Sequence, residues 1–247
     1  MSSTAEPRVL KHQIVRARIE KLLDGLPEGA PVPSERDLAV RFDVARETVR
    51  QALRELLVAG RIERQGKATL VAGPKLVLPL ALGSYTEAAR AEGRSATRIL
   101  VGWSQFPAEA ELAAMLAIEP GDPVVQLERV LTTDGVRLGL ETTRLPAYRY
   151  PGLIETFDYT QSLYAEIASR GVAFAEAVDS IETTLPDARE AALLTVDTRT
   201  PMFLLNRVSY DPARVPIEHR RSLYRGDRMT FTAIQHPEPG SSPHAAG

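Results

Sequence analysis

The first strongly periodic stretch of apolar positions lies between residues 34 and 58. Ser34 can accept a hydrogen bond from an early helical N–H, so it predicts a helix that continues to about Phe42. The buried stripe of a second helix follows a short turn and ends before Gly60. Its apolar residues recur at helical spacing and are Val49, Ala52, Leu53 and Leu56. The pattern therefore predicts two short helices joined by a tight turn.

The outer face of the second helix is basic. Arg46 and Arg50 are four residues apart and lie on one helical face, with Arg54 nearby. A guanidinium can grip a phosphate or make a bidentate contact to guanine in the major groove. Two short strands around a tip at Gly66 and Lys67 then predict a wing. The combination favours a DNA-binding winged helix, although a single amphipathic helix with outer arginines is usually only a solvated face.

Beyond residue 82 the pattern alternates between the strand and helix periods. Asp134-Gly135, between two alternating stretches, is the strongest hairpin signal in the chain. Because few connections near the end are long enough for parallel crossovers, we expect an α+β domain with a mainly antiparallel sheet. Strands are predicted at 97–103, 124–132, 136–144, 175–184, 202–210, 216–223 and 229–233, and helices at 84–93, 109–116, 162–170 and 187–194.

A stretch bracketed by prolines, AGPKLVLPLAL, separates the two patterns. Its composition predicts a semi-rigid connection, and its apolar residues would allow it to pack on a neighbour. We therefore predict four segments: a DNA-binding domain at 8–72, a linker at 73–82, a second domain at 83–236 and a disordered tail at 237–247. The fold class is mixed α/β, with a winged helix-turn-helix domain joined to the α+β domain.

Charge is distributed unevenly along the 247 residues. Between residues 8 and 75 there are 14 Lys/Arg against 9 Asp/Glu, whereas the whole chain has a net charge of −2, so the remainder is acidic. A basic N-terminal part on an acidic body suits a protein that binds a polyanion. No apolar run approaches the roughly 20 residues that span a bilayer, and the N-terminus lacks a signal-peptide core. We expect a cytoplasmic protein that does not bind membranes.

The residue inventory argues against several kinds of site. The chain has no cysteine, which excludes disulfides and thiolate chemistry. Its four histidines are scattered, so no metal site and no cofactor are predicted. The HExxH, GxSxG and P-loop motifs are absent as well.

The N-terminal segment resembles the DNA-binding domain of the GntR family of bacterial transcription regulators. PSERDLA, the R-x-T-V-R-x-A-L helix and the G-x-x-T-x-V wing match in order over roughly residues 11–71. Two departures concern Ala45, where a serine would cap the helix, and Ala68, where a second wing glycine would tolerate positive φ. The residues that the resemblance places at DNA are Arg36, Arg46, Thr48 and Arg50, with Gly66 and Lys67 near the minor groove.

The second domain resembles the effector-sensing (UTRA) domain of the HutC branch of that family, which has a chorismate-lyase-like fold. GSYTEAARAEG, LERVLTTDGVRLGLETTRLP, QSLYAEI and IEHRRSLYRGDRMTF carry the likeness over roughly residues 78–235. It implies a repressor that binds a palindromic DNA operator as a homodimer and responds to a small anionic effector. The positions that match effector contacts in the branch are Ser84, Tyr85, Thr86, Arg129, Glu141, Ser162, Tyr164, Glu218 and Tyr224.

The residue types at these positions also suit an anion. Ser84 and Ser162 each precede a predicted helix, where unpaired N–H groups favour phosphate. Arg129 could supply positive charge to the same oxygens, or it could pair with Glu141 across the hairpin. Glu141 and Glu218 suit ligand hydroxyls, because ionised carboxylates only accept hydrogen bonds. The motif YRGDR at 224–228 predicts either a turn held by an aspartate–arginine pair or a binding loop.

The identity of the effector stays open at this point. The resemblance favours an amino-sugar phosphate first and a phosphonate or phosphate as the alternative. Sugar-phosphate sensors of the branch usually have R-x-R on the strand of Arg129, and this chain has Leu131 in the second place. Two other functions remain. An architectural DNA-binding protein would need no effector, and a chorismate-lyase-like or sugar-processing enzyme could use Glu141 and Glu218 as a carboxylate pair.

Overall fold

The computed structural model describes residues 10–65, 68–81 and 85–234. Its N-terminal unit contains three helices and a two-stranded antiparallel ribbon, which together form a winged helix. The predicted helix pair and wing are confirmed, and a preceding helix that we did not predict adds the third. These elements are α1 (Lys11–Leu23), α2 (Glu35–Phe42), α3 (Arg46–Val58), β1 (Ile62–Gln65) and β2 (Ala68–Val71).

Local signals explain where the helices begin and end. Ser34 is the N-cap of α2, and its Oγ accepts a hydrogen bond from the backbone N–H of Asp37 at 3.2 Å. Ala45 occupies the N-cap of α3 and makes no side-chain cap, as its identity predicts. Gly60, with φ of 72°, follows the end of α3. Ala68 is paired with Gln65 in the wing ladder, so it lies at the start of a strand and not at the tip.

One apolar cluster holds the N-terminal unit together. Each fully buried Val, Leu or Ile side chain contributes roughly 1.5–3 kcal/mol relative to an exposed one. The cluster contains no residue beyond the end of β2, so this unit has its own core. Its buried members are Val15, Ile19, Leu23, Val32, Leu38, Ala39, Val49, Ala52, Leu53, Leu56, Ile62 and Val71.

The second unit is built on a six-stranded sheet in which every neighbouring pair is antiparallel. This confirms the predicted α+β architecture. In sheet order the strands are β4 (Ala96–Pro107), β5 (Pro123–Thr133), β6 (Val136–Pro146), β9 (Pro216–Arg225), β8 (Met202–Tyr210) and β7 (Glu176–Thr184). The helices are α4 (Tyr85–Ala91), α5 (Ala110–Leu116), α6 (Leu153–Thr156), α7 (Leu163–Ser169) and α8 (Ala188–Leu194), with a 3-10 turn at Ala147–Arg149.

The hairpin between β5 and β6 turns at Asp134 and Gly135, whose φ angles are 51° and 80°. Two positive φ values in succession are the backbone that Asp-Gly favours in a two-residue hairpin, so this prediction is confirmed. The hairpin makes β5 and β6 neighbours in the sheet, and β9 pairs with the other edge of β6, so that β6 and β9 are its two central strands.

The stretch predicted as a linker contains a strand. β3 (Leu76–Pro79) pairs in parallel with β10 (Met229–Thr232) and forms a separate two-stranded sheet. The backbone N–H of Leu76 donates to Arg228 O at 2.9 Å, and that of Leu80 donates to Thr232 O at 2.8 Å. The side chain of Leu76 is fully buried in a core cluster of the second unit. The connection is therefore hydrogen-bonded to the second unit and packed against it, and is not a flexible linker.

Several predictions fall outside the described residues. They concern Gly66 and Lys67 of the wing tip, Ser84 before α4, and the tail at 237–247. Among the described helices, none is both long and apolar enough to cross a membrane. Within the same described ranges, no three His, Asp or Glu side chains are grouped so that they could hold a metal ion.

Candidate effector site and nucleic-acid interface

The candidate DNA-binding face lies on α2 and α3. Arg36 and Arg46 are exposed and their side chains make no hydrogen bond or ion pair within the described residues, and Thr48 is half-buried. Arg50 is already paired, because its Nη1 lies 2.9 Å from Glu47 Oε2 and its Nη2 lies 3.1 Å from Glu35 Oε2. A DNA phosphate would have to compete with two carboxylates for Arg50, whereas Arg36 and Arg46 are available without rearrangement.

The second unit encloses a cavity of about 280 Å³, part of which is open to solvent. Strands β4, β5, β6 and β9 and the starts of α4 and α7 supply its walls. Six of the nine predicted effector residues lie here, together with four that the sequence did not single out. The predicted six are Tyr85, Arg129, Glu141, Ser162, Tyr164 and Glu218, and the other four are Arg98, Thr143, Leu163 and Arg220.

The remaining predicted positions lie elsewhere. Thr86 does not line the cavity, although its hydroxyl accepts a hydrogen bond from the Arg98 guanidinium. Tyr224 lines an adjoining cavity, and Ser84 lies outside the described residues. Ser162 caps α7, where its Oγ accepts a hydrogen bond from the backbone N–H of Ala165 at 3.4 Å.

Arg129 and Glu141 form a buried ion pair across the β5–β6 hairpin. Arg129 Nη2 lies 2.6 Å from Glu141 Oε1, and Arg129 Nη1 donates to the backbone oxygens of Tyr159 and Gln161 at 3.2 and 3.1 Å. The second oxygen of Glu141 lies 3.6 Å from Arg220 Nη1. Burial alone would raise the pKa of Glu141, but the charges of the neighbouring arginines outweigh it and lower that pKa. Both Glu141 oxygens therefore face guanidinium groups.

Two further guanidinium groups were missed by the sequence analysis. Arg98 on β4 is 7% exposed, and its Nη1 donates to Thr160 O at 3.3 Å. Burial and then the charge of Arg129 lower the pKa of Arg98. Arg220 on β9 lies over the ring of Tyr164, with 5.1 Å between the guanidinium carbon and the ring centroid. Both bring positive charge to the cavity lining, whereas Leu131, where the resemblance had led us to look for a second arginine, does not line it.

Each of the three arginines has one N–H donor that is not used. The Nε of Arg98, of Arg129 and of Arg220 is buried and has no hydrogen-bond partner among the described residues. Against these three positive charges the cavity lining contains two carboxylates, Glu141 and Glu218. The lining therefore carries a surplus of positive charge and N–H donors without acceptors, which is the chemistry that binds an anion.

Glu218 is fully buried on β9, and its two oxygens differ. Oε1 accepts hydrogen bonds from the hydroxyls of Tyr164 at 2.6 Å and Ser209 at 3.0 Å. Oε2 accepts none within the described residues. Tyr164 is itself held by stacking on Phe174, with ring centroids 4.3 Å apart, and burial raises its pKa so that the hydroxyl keeps its proton. Glu218 thus presents one engaged oxygen and one free oxygen.

A second cavity of about 320 Å³ adjoins the first and shares Tyr85 and Arg220 with it. Part of its wall is the connection between the two units, because residues 78–81 line it together with Tyr224. A ligand that extended beyond the first cavity would therefore contact the segment that leads to the winged helix.

The YRGDR motif forms a turn between β9 and β10 that contacts the winged helix. Asp227 Oδ2 lies 2.7 Å from Arg225 Nη2, so the predicted aspartate–arginine pair is present. Arg228 forms an ion pair with Glu63 of the wing strand β1. Lys75 Nζ donates to the backbone oxygen of Gly226 at 2.7 Å. Residues 225–228 therefore form an interdomain contact and line neither cavity, whereas Tyr224 at the start of the motif lines the second one.

Comparison with known proteins agrees with both halves of this description. The model of the bacterial regulatory proteins of the gntR family matches residues 11–71, and the UTRA domain model matches residues 91–230. The chain is 66% identical over 236 residues to the HTH-type transcriptional repressor PhnF of Mycolicibacterium smegmatis, covering 96% of this chain and 97% of the relative. It is 29% identical over 229 residues to the HTH-type transcriptional repressor NagR of Bacillus subtilis, covering 91% and 94%.

Solved structures give the same result. The crystal structure of PhnF from Mycobacterium smegmatis matches with a TM-score of 0.68 and 67% identity, covering 90% of this chain and 99% of that one. The crystal structure of its effector domain matches with a TM-score of 0.64 and 70% identity, covering 65% and 99%. The relatives are named as regulators, which argues against the enzyme alternative. The chain belongs to the GntR family of bacterial regulatory proteins, as a DNA-binding transcriptional repressor of the HutC type with a UTRA effector domain.

Proposed function

We propose that this repressor binds a palindromic operator as a homodimer and that a small phosphorus oxyanion, phosphate or a phosphonate, modulates this binding from the cavity of the second unit. The observation that carries the proposal is the convergence of Arg98, Arg129 and Arg220 on one cavity, each with a free Nε–H. A buried donor without a partner costs about 1–3 kcal/mol. The oxygens of a tetrahedral anion would satisfy several such donors at once.

The size of the cavity supports a compact ligand. Only a small part of its volume of about 280 Å³ is enclosed by protein atoms and the rest is open to solvent, whereas sites for drug-sized molecules bury most of the ligand surface. We therefore place phosphate or a phosphonate ahead of the amino-sugar phosphate that the resemblance favoured. The amino-sugar phosphate is the second candidate, because the adjoining cavity shares Tyr85 and Arg220 with the first and a larger ligand could extend into it.

We propose separate roles for the two units. In the predicted division of the chain, the winged helix at 8–72 contacts DNA, the linker at 73–82 connects it to the effector domain at 83–236, and 237–247 is a tail. Two-fold symmetric proteins of this kind bind half-sites about one helical turn of DNA apart, or a multiple of it. The proposed DNA contacts are Arg36, Arg46, Thr48 and Arg50, with Gly66 and Lys67 in the wing.

The effector acts only if it binds one arrangement of the dimer more tightly than the other. A ligand with equal affinity for the DNA-competent and DNA-incompetent arrangements shifts nothing, however tightly it binds. The proposed anion must therefore contact groups whose positions differ between the two arrangements. The wall that residues 78–81 provide next to the anion cavity supports this requirement.

The experiment compares two variants by operator gel shift and thermal unfolding, with and without phosphate, methylphosphonate and glucosamine 6-phosphate. Arg46→Ala should weaken operator binding and reduce the salt slope by about one, while anion stabilisation is intact. Arg98→Ala should abolish anion stabilisation and leave operator binding intact. Arg199→Ala is the control, because this exposed arginine of the second unit pairs, within the described part of the chain, only with Asp197 two residues before it.

Two results would contradict the proposal. If no anion of the three shifts either the unfolding temperature or the operator affinity of the unaltered protein, the cavity is not an anion sensor. If Arg46→Ala and Arg98→Ala change the same properties, the two units do not divide the labour as proposed.

A further inference from the structure

We propose that Glu218 selects the effector by accepting a hydrogen bond from a proton that the effector itself carries. The inference rests on the proposed function, since it concerns the same cavity. It adds a chemical class: a tetrahedral oxyanion with an acidic O–H, such as hydrogenphosphate or an acid phosphonate, and not an oxyanion without a proton, such as sulfate.

The two acidic side chains of the cavity, Glu141 and Glu218, differ in how far their oxygens are engaged. Both oxygens of Glu141 already face arginines, Oε1 facing Arg129 and Oε2 facing Arg220, so this carboxylate has partners without a ligand. Glu218 has Oε1 engaged by Tyr164 and Ser209, while Oε2 is buried without a partner among the described residues. An ionised carboxylate only accepts hydrogen bonds. Its missing partner must therefore be a donor.

The neighbouring arginines do not meet this need. Arg220, two residues along the same strand, directs its guanidinium over the Tyr164 ring and towards Glu141. A buried carboxylate oxygen left unpaired is costly. A ligand that carries its own O–H or N–H donor removes this cost when it binds, whereas a ligand without a donor does not. The arginines attract any small anion, and Glu218 distinguishes among the anions that they attract.

Phosphate and sulfate are similar in size but differ in whether they carry a proton that can be donated to Glu218. At neutral pH hydrogenphosphate keeps a proton on one oxygen, whereas sulfate has none and would place a bare oxygen against Glu218 Oε2. A hydrogen bond that involves a charged group contributes about 1.5–3 kcal/mol, which corresponds to a preference of roughly tenfold to hundredfold. A phosphate monoester is mostly deprotonated above its second pKa of about 6, so a sugar phosphate would need a hydroxyl or ammonium donor at this position.

The test measures the affinities of the full-length protein for phosphate, arsenate, sulfate and selenate by calorimetry at pH 7.5. Phosphate and arsenate retain a proton at this pH, and sulfate and selenate do not. We expect the two protonated anions to bind at least about tenfold more tightly. In Glu218→Gln the amide can donate to sulfate as well as accept from phosphate, so the preference should fall to within about threefold.

Two further variants separate selection from a structural role. Glu176→Gln changes an exposed carboxylate on β7 that pairs with Arg214, and it should keep the full preference. Glu218→Asp retains the carboxylate and should keep a preference for protonated anions even if overall affinity falls. If the role of Glu218 were purely structural, its replacement would lower the affinities for all four anions by a common factor and leave their ratios unchanged.

The possible outcomes distinguish failure of the Glu218 role from failure of the proposed function. Equal affinities for phosphate and sulfate in the unaltered protein, or a preference that survives in Glu218→Gln, overturn the role of Glu218 and leave the anion site standing. Absence of binding by any of the anions, with no effect on the operator, overturns the proposed function itself. If Glu218→Gln does not fold, equal affinities in the unaltered protein still overturn the inference, and loss of the preference for protonated anions in Glu218→Asp overturns it as well.

Discussion

Arginine side chains perform different tasks in the effector cavity because their partners differ. Arg129 is saturated at both terminal nitrogens by Glu141 and by two backbone oxygens, so it serves the fold as well as the site. Arg98 donates to a backbone oxygen and to the Thr86 hydroxyl, which leaves no buried carboxylate dependent on it alone. This difference makes Arg98 the better position for testing ligand binding and Arg129 the better position for testing stability.

Arg129→Ala is expected to destabilise the fold by about 3–5 kcal/mol. Removing one partner of a buried ion pair leaves an uncompensated charge, here on Glu141, which is costly. Arg189→Ala breaks a pair with Glu128 in which the arginine side chain is 57% exposed, and it should cost at most about 1 kcal/mol. Urea unfolding of both variants measures the difference. Equal losses in the free energy of unfolding would show that the buried Arg129–Glu141 pair contributes no more to stability than the exposed pair.

The stability of the protein should fall as the pH drops below 6.5, and His219 contributes to this loss. The pKa of His219 is lowered from 6.5, mainly by burial and next by the positive charge of Arg144. The negative charge of Glu111 has a smaller effect in the opposite direction. A histidine whose folded pKa is depressed takes up its proton more readily when unfolded, so acid favours unfolding. His219→Gln should reduce the loss in unfolding free energy between pH 7.5 and pH 5.5, measured by urea titration. Identical losses in both proteins would remove His219 as a cause.

The sequence could predict part of this site at the residue level. Glu218 and Tyr224 were predicted, and strand periodicity places Arg220 on the same face between them, so the alternation contained a signal for Arg220. Arg98 had no such signal. On β4 its neighbour Ile99 is 44% exposed while Arg98 is buried, the reverse of the usual preference. Only the fold shows that Thr160 O, 62 residues away in sequence, accepts its hydrogen bond.

At the scale of elements, capped helices and the Asp-Gly hairpin were predictable because their signals are local. The parallel pair of β3 and β10 was not, because its partners lie about 150 residues apart. A four-residue stretch that ends in Pro79 and follows Pro74 has the composition of a linker. Its strand forms only because residues 228–232 offer backbone partners.

Gly60→Ala should be considerably more destabilising than Gly29→Ala, although both glycines have positive φ. An alanine at positive φ costs roughly 1–2 kcal/mol in either case, with φ of 72° at Gly60 and 77° at Gly29. A Cβ at Gly29 would meet nothing within 4 Å, whereas a Cβ at Gly60 would lie 2.0 Å from the backbone oxygen of Asp227. The end of α3 would therefore have to move away from the β9–β10 turn.

Two measurements test this pair of glycines. Thermal unfolding gives the loss in stability, and limited proteolysis reports whether residues 73–81 become accessible to cleavage when the contact is lost. Gly29→Ala should show only the first effect. Equal behaviour of the two variants would mean that the turn does not pack against α3 closely enough to matter.

At the scale of the whole molecule, one strand connects the effector cavity to the winged helix. β9 carries Glu218 and Arg220 at the cavity and Tyr224 at the adjoining one, and then enters the turn that contacts β1 through Arg228. Physical continuity alone does not establish coupling. It does identify a contact whose loss should uncouple the two sites without changing either of them.

Glu63→Gln is expected to reduce the effect of the anion on operator affinity, because it removes the charge that Arg228 pairs with between the units. The measured quantity is the ratio of operator affinities with and without phosphate, and linkage requires the same ratio for phosphate affinity with and without operator. Asp24→Asn is the control, since Asp24 pairs with Arg61 inside the winged helix. The exchange Glu63→Arg with Arg228→Glu should restore the ratio in part. An unchanged ratio in Glu63→Gln would place the coupling elsewhere, and the wall formed by residues 78–81 would then be the next segment to test.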